Sequence, residues 1–253
     1  MSEIVIEFQN LGKCYNSREH RIRRGFLSGA IFQSGSDPES NSTNKEPVWA
    51  LKDVSFEIKH GEVIGFIGAN GAGKSTLLKI LARITKPTTG IGKVTGRVGS
   101  LLEVGSGFHP ELSGRENIYL NGSILGMTRH EISRKFDEIV EFSGVSSILH
   151  RPVKQYSSGE YMRLGFAVAA HLESEILILD EVLAVGDGAF RAKCQSKIHS
   201  LAKEGRTVLF VSHRMDQISD LCEKVIWLEK GRLIDFGDSR SVISKYEYSF
   251  AQA

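Results

Sequence analysis

A chain of 253 residues that is 41 % hydrophobic and 25 % charged can bury a full globular core. No apolar run approaches the roughly 20 residues needed to cross a bilayer, so a pore would have to belong to another chain. A net charge of +2 is too mild for a nucleic-acid binder, and three scattered cysteines, Cys14, Cys194 and Cys222, suggest neither a disulfide framework nor a metal site. With no secretory leader, these features predict a cytosolic module without a nucleic-acid partner.

In chain order, IVIEFQNL at 4–11 predicts a strand, and Tyr15 precedes an insert at 16–48. Within the insert, Arg18, Arg21, Arg23 and Arg24 stand against one acid, Glu19, while Ile22, Phe26, Ala30 and Ile31 recur near the helical period. Such a short basic amphipathic helix either packs on the protein's own surface or meets a membrane partner or lipid headgroups. Residues 34–46 are polar. A second strand is predicted at ALKDVSFEI (50–58), HGE makes a turn, and VIGFI (63–67) reads as a strand running into GANGAGKS (68–75). TLLKILARI (76–84) has helical spacing.

That strand, loop and helix frame a G-x-x-x-x-G-K-[ST] motif, in which Gly68, Gly71 and Gly73 let the chain curl its amides around phosphate oxygens. The phosphate would sit on a helix N-terminus, where unpaired amides and aligned dipoles favour negative charge. Lys74 adds a point charge, and Ser75 offers a hydroxyl to Mg²⁺. GTPases, kinases and motor ATPases share this loop, so it does not by itself fix a function.

Further on, Ser113 with Glu116 and Thr128 with Glu131 fit the capping box, and Ile132, Phe136, Ile139 and Val140 share one face of a helix that Gly144 stops. Residues from about 104 to 175 therefore read as a helical lobe inserted in an α/β core. YMRLGFAVAAHL (161–172) is helix-like and feeds ILILDE (176–181), a buried strand ending in Asp180 and Glu181. The carboxyl end of such a strand, beside the phosphate loop, is where open α/β sheets bind ligands. Asp180 would hold Mg²⁺ and Glu181 would polarise an attacking water, although two acids there could equally be a solvated strand end. TVLFVSH gives another strand, VIWLEKGRLIDFG a hairpin turning near Gly231, and SRSVISKYEY a short final helix. No internal repeat is visible.

The turn Tyr156-Ser157-Ser158-Gly159-Glu160, upstream of the acidic strand, resembles the Leu-Ser-Gly-Gly-Gln signature of ATP-binding-cassette (ABC) ATPases. It matches at Ser157 and Gly159, while Ser158 replaces a glycine and Glu160 a glutamine. The resemblance continues in order. Asp187 falls at the D-loop acid, with Val182 in place of the usual proline, and His213 falls at the switch histidine. Tyr15 falls at the aromatic A-loop that stacks on adenine. No glutamine occurs between 96 and 118, where the family has its Q-loop; Glu103, after the strand-like RVGSLL (97–102), is the nearest polar candidate there and a further candidate Mg²⁺ ligand. This altered Q-loop, the segment GSGFHPELSGRENI after it and the extended insert look like the ATPase subunits that export O-antigen, capsular or teichoic-acid polysaccharide.

The resemblance implies one P-loop cassette over 1–253, with a RecA-like mixed sheet, an antiparallel β subdomain and the inserted helical subdomain. It implies ATP and Mg²⁺ as cofactors, with Asn70, Ala72 and Thr76 completing the nucleotide loop. It further implies that Ser157 and Gly159 of one copy close over ATP on another in a head-to-tail dimer, with Glu181 as base and His213 and Lys74 on the γ-phosphate. The partners would be a second copy, an integral membrane permease and, through the complex, a lipid-linked polysaccharide, at the cytoplasmic face of the plasma membrane. Another exported cargo, lipid or drug, stays open, as does an ABC ATPase outside transport, although those usually carry tandem cassettes or a long coiled coil. With 40 residues after His213, no carbohydrate-binding domain is expected within the sequence.

Overall fold

The computed structural model describes residues 3–15, 47–100, 107–180, 188–212 and 214–251. Two sheets and the helices around them account for these residues. The smaller sheet is antiparallel, in the order β2-β1-β4, from β1 (Ile4–Tyr15), β2 (Val48–Lys59) and β4 (Thr89–Val94). The larger has the order β5-β6-β7-β3-β8-β9, built from β3 (Val63–Ile67), β5 (Val98–Ser100), β6 (Ile176–Asp180), β7 (Thr207–Val211), β8 (Lys224–Glu229) and β9 (Arg232–Asp238). In this larger sheet only β9 runs antiparallel to its neighbour.

The central strands read as continuous apolar runs because both faces of this sheet are covered. All five residues of β3 are buried, and so are all five of β7. Side-chain alternation sorts them. Ile64, Phe66, Ile178 and Leu209 pack with the small sheet and with α1 (Lys74–Leu81). Val63, Ile67, Leu179 and Phe210 face the opposite layer, which holds α5 (Gly188–Lys203), α6 (Met215–Leu221) and α7 (Ser239–Ala251). Gly65 lets α6 come close: a Cβ there would lie 2.7 Å from Ile218 Cγ2.

Between β5 and β6 the described residues form helices: α2 (Gly114–Ile124), α3 (Arg129–Ser143), two single 3₁₀ turns and α4 (Ser158–Ala170). The sequence's capping boxes form as expected. Ser113 and Thr128 each accept a hydrogen bond from the N–H three residues on, and Glu116 and Glu131 reach back to the cap N–H. Ile132, Phe136 and Ile139 are buried, and Gly144 ends α3 with φ 68°. Phe142 of α3, Phe166 of α4 and Phe190 of α5 meet with ring centroids 5.7 to 6.0 Å apart, joining these helices to the core. Lys193 of α5 donates to the carbonyls of Glu141 and Phe142, at 3.2 and 3.0 Å, at the C-terminus of α3. On the other side, Arg97 just before β5 donates to Glu131 Oε1 (3.1 Å) and to the carbonyls of Glu173 and Gly126.

Three elements were not anticipated: β4, α5 and α6. β4 is a largely exposed edge strand carrying two glycines, which gives no alternation to read. α5 buries Phe190, Cys194, Ile198 and Leu201, a helical spacing present in the sequence but spread among basic residues. α1 ends at Leu81, short of 84, because Arg83 takes the left-handed conformation (φ 58°) and Ile84 N–H returns to the carbonyl of Lys79 at 2.8 Å.

Three tests follow from the turns and the capping boxes. Gly144 has left-handed φ and open space around a Cβ, so Gly144→Ala should cost about 1 kcal/mol in urea unfolding. At Gly231 (φ 78°) a Cβ would also lie 2.7 Å from the Ala50 carbonyl oxygen, so Gly231→Ala should cost more than about 2 kcal/mol. The Glu131 carboxyl is lowered from 4.5 to about 2, chiefly by the Thr128 N–H, then by the Thr128 hydroxyl and Arg97. Its contribution to stability is complete above pH 4.5 and is lost as the pH falls toward 2. Urea midpoints of Glu131→Gln should therefore lie below wild type at neutral pH and converge with it near pH 2.

Candidate functional site

The phosphate loop leaves β3 at Gly68 and enters α1 at Lys74. Gly68, Gly71 and Gly73 have φ of 144°, 80° and 107°, as a loop with inward amides requires. Two of these glycines also answer to their backing. A Cβ on Gly68 would lie 2.1 Å from the Leu228 carbonyl oxygen, and one on Gly73 2.6 Å from that of Ala50. The β8–β9 turn, Lys230 and Gly231, braces the loop from behind: Gly231 N–H donates to the Ala72 carbonyl at 3.0 Å, and Lys52 N–H to that of Gly231 at 2.7 Å. This buttress was not visible in the motif, because it comes from residues about 20 and about 160 positions away in sequence.

Unlike α2, α3 and α4, α1 has no side chain capping its N-terminus and no acid in its first turn. Its first amides are therefore directed at a site that an anion can fill. Lys74 is 8 % exposed, and its Nζ donates to the carbonyls of Gly68 (2.5 Å) and Ala69 (3.1 Å), so the ammonium already lies within the loop. Asn70, Gly71 and Ser75 are exposed, Thr76 is half-buried and Ala72 is buried under the loop.

The parallel strands that lead to the other candidates end at the same edge. Leu179 and Asp180 pair with Phe210 and Val211, and Phe66 pairs with Val211. The ends of β6, β7 and β3 thus lie side by side, with β7 between the other two. The acid-bearing strand is two places from the phosphate-loop strand, about 10 Å away, and the strand leading to His213 is its immediate neighbour. Ser212, 5 % exposed, donates to Gln217 Oε1 (3.1 Å) and accepts from Arg214 N–H (3.1 Å), which fixes the chain on either side of position 213.

Tyr15 ends β1 opposite Val48, two residues from Ala50 and so near the back of the loop; Lys13 Nζ lies 5.0 Å from its ring centroid. Ser157 is the N-cap of α4, and its neighbour Ser158 is exposed. Glu160, a departure from the expected glutamine, completes a third capping box with Ser157. Glu103, Glu181, Asp187, His213 and insert residues 16–46 lie outside the described residues.

Residues 51–184, over half the chain, match the family model described as ABC transporter. The chain is 47 % identical over 249 residues to the O-antigen export system ATP-binding protein RfbB of Klebsiella pneumoniae, covering 98 % of this chain and 100 % of that protein. It is 36 % identical over 229 residues to the teichoic acids export ATP-binding protein TagH of Bacillus anthracis, covering 90 % of this chain and 42 % of that longer one. In fold it is similar to the ATP-binding cassette MJ0796, solved as a dimer in a post-hydrolysis state with ADP and Pi, with a TM-score of 0.71 at 21 % identity over 93 % of this chain and 99 % of that one. With its phosphate loop, its mixed sheet and its inserted helices, the chain belongs to the ABC transporter family.

Proposed function

We propose that this protein is the ATP-hydrolysing subunit of an ABC transporter that exports a lipid-linked, O-antigen-like polysaccharide. It would work as two copies beside an integral membrane permease, at the cytoplasmic face of the plasma membrane. The observation that carries this reading is the end-to-end match with the Klebsiella pneumoniae O-antigen export protein. A peripheral place also fits the described helices, none of which is long and apolar enough to cross a membrane.

The chemistry follows from the edge where β3, β7 and β6 end. The β- and γ-phosphates of ATP would take the amides that α1 leaves uncapped, and Lys74 would turn from its loop carbonyls to the phosphate oxygens. Tyr15 would stack on adenine, with Asn70, Ala72 and Thr76 lining the loop. The exposed Ser75 hydroxyl suits a hard cation, and with Asp180, and Glu103 as a further candidate, it would hold Mg²⁺, which offsets phosphate charge when bound. Glu181 would polarise the attacking water and His213 would hold the γ-phosphate. Ser157, Gly159 and Asp187 of a second copy would close the site, and closure would draw the two membrane subunits.

Lys74→Ala should weaken ATP binding by on the order of tenfold or more in equilibrium titration, as loss of a charge-assisted contact implies. Glu181→Gln should bind ATP normally and lose on the order of 100-fold in turnover. In the source cell, the same variant should accumulate lipid-linked polysaccharide inside and lose it from the surface. Unchanged glycan on both sides, with ATPase activity gone, would overturn the export reading and leave the ATPase in place.

A further inference from the structure

The N-termini of α1 and α4 are opposites. The first has neither a side-chain cap nor an acid in its first turn, which leaves it open to an external anion. The second carries its own anion. Ser157 N–H and Ser157 Oγ both donate to Glu160 Oε2 at 2.8 Å, and Glu160 N–H donates to Ser157 Oγ at 3.2 Å. The hydroxyl proton of the signature serine is thus committed to a carboxylate, and that carboxylate sits in the first turn, where it offsets the positive end of the helix. The bonds from Ser157 hold the Glu160 carboxyl below its ordinary range, so it stays charged at neutral pH. Arg163 and Arg151 are the cations whose charge it feels.

The space in front of this turn is open. Apart from its chain neighbours and its own helix's backbone, no atom lies within 4 Å of where a Cβ on Gly159 would stand, and Ser157 and Ser158 are exposed. A phosphate can approach here, but it meets a negative charge already bound to the donor it needs. A glutamine at the same position could make the same capping-box hydrogen bonds without the charge. What the glutamate adds is its charge.

We propose that Glu160 is a positioning residue of the ATP-bound dimer, holding the Ser157 hydroxyl as an internal stand-in for phosphate that the γ-phosphate on a second copy must displace before the two copies close. The proposal rests on the proposed function, in which the signature turn of one copy covers ATP on the other. Glu160 then sets the ATP concentration at which the dimer closes, through repulsion that salt screens.

The test uses the full chain carrying Glu181→Gln, so that ATP is not consumed. Dimer formation is followed by light scattering against ATP concentration, at low salt and at high salt. Adding Glu160→Gln should lower the ATP concentration for half-maximal dimer by on the order of fivefold at low salt. The difference should shrink at high salt, while the urea midpoint at neutral pH should fall as for Glu131→Gln, because the charged cap is lost; tighter closure in a less stable protein separates the electrostatic role from a structural one. Glu160→Ala removes the cap's hydrogen bonds as well as the charge and should lower the urea midpoint further. An ATP-dependent dimer whose half-point is the same in the parent, which keeps Glu160, as in the Glu160→Gln protein overturns the proposal and leaves the dimer reading standing. No ATP-dependent dimer in any variant overturns both.

Discussion

Everything at the candidate site depends on the uncapped N-terminus of α1. The first turn of this helix has neither a capping side chain nor an acid, so nothing of the chain's own charge opposes an anion there. The loop before it is fixed rather than free. Gly68 is pressed against the backbone of Leu228, Gly73 against that of Ala50, and the β8–β9 turn bonds to Ala72 from behind. The doubly buried β3 anchors the whole unit. Under the proposed function, a cradle fixed in this way is preorganised for phosphate, because little reorganisation remains to be done when the ligand arrives.

The helices that carry the signature turn are tied to this core at two places. The Arg97 guanidinium reaches Glu131 and the carbonyls of Glu173 and Gly126, while Lys193 and the Phe142, Phe166 and Phe190 rings hold the other flank. One link uses directional, charge-assisted bonds alone and the other adds packed rings to them. Arg97 immediately precedes β5, so the strand that leads toward Glu103 and the cap of α3 share one anchor. Asn117, fully buried, extends the frame: its side chain accepts from His109 N–H and donates to the carbonyls of His109, Leu112 and Ser113, which sets the loop after residue 106 onto α2.

Much of this was legible because it is local. GANGAGKS states its loop and helix in eight consecutive residues, and the boxes Ser113 to Glu116 and Thr128 to Glu131 state their caps in four. The order of the large sheet was not legible, since pairing β7 between β6 and β3 is a long-range matter that periodicity does not encode. The buttress at Leu228, Gly231 and Ala50 was hidden for the same reason. Glu160 stands out in the sequence as a departure from a family motif, and its role in the cap is written in the chain as S-x-x-E.

The most direct measurement of the central claim is cross-linking between a phosphate loop and a signature turn on two copies. Asn70→Cys and Ser158→Cys, both at exposed positions, would be introduced on separate copies lacking Cys14. Burial pushes the Cys194 and Cys222 thiols up to about 12, which keeps them out of the reaction. The account predicts a disulfide between the copies that forms with ATP and not without nucleotide. No cross-link under either condition, or the same yield with and without ATP, would contradict it.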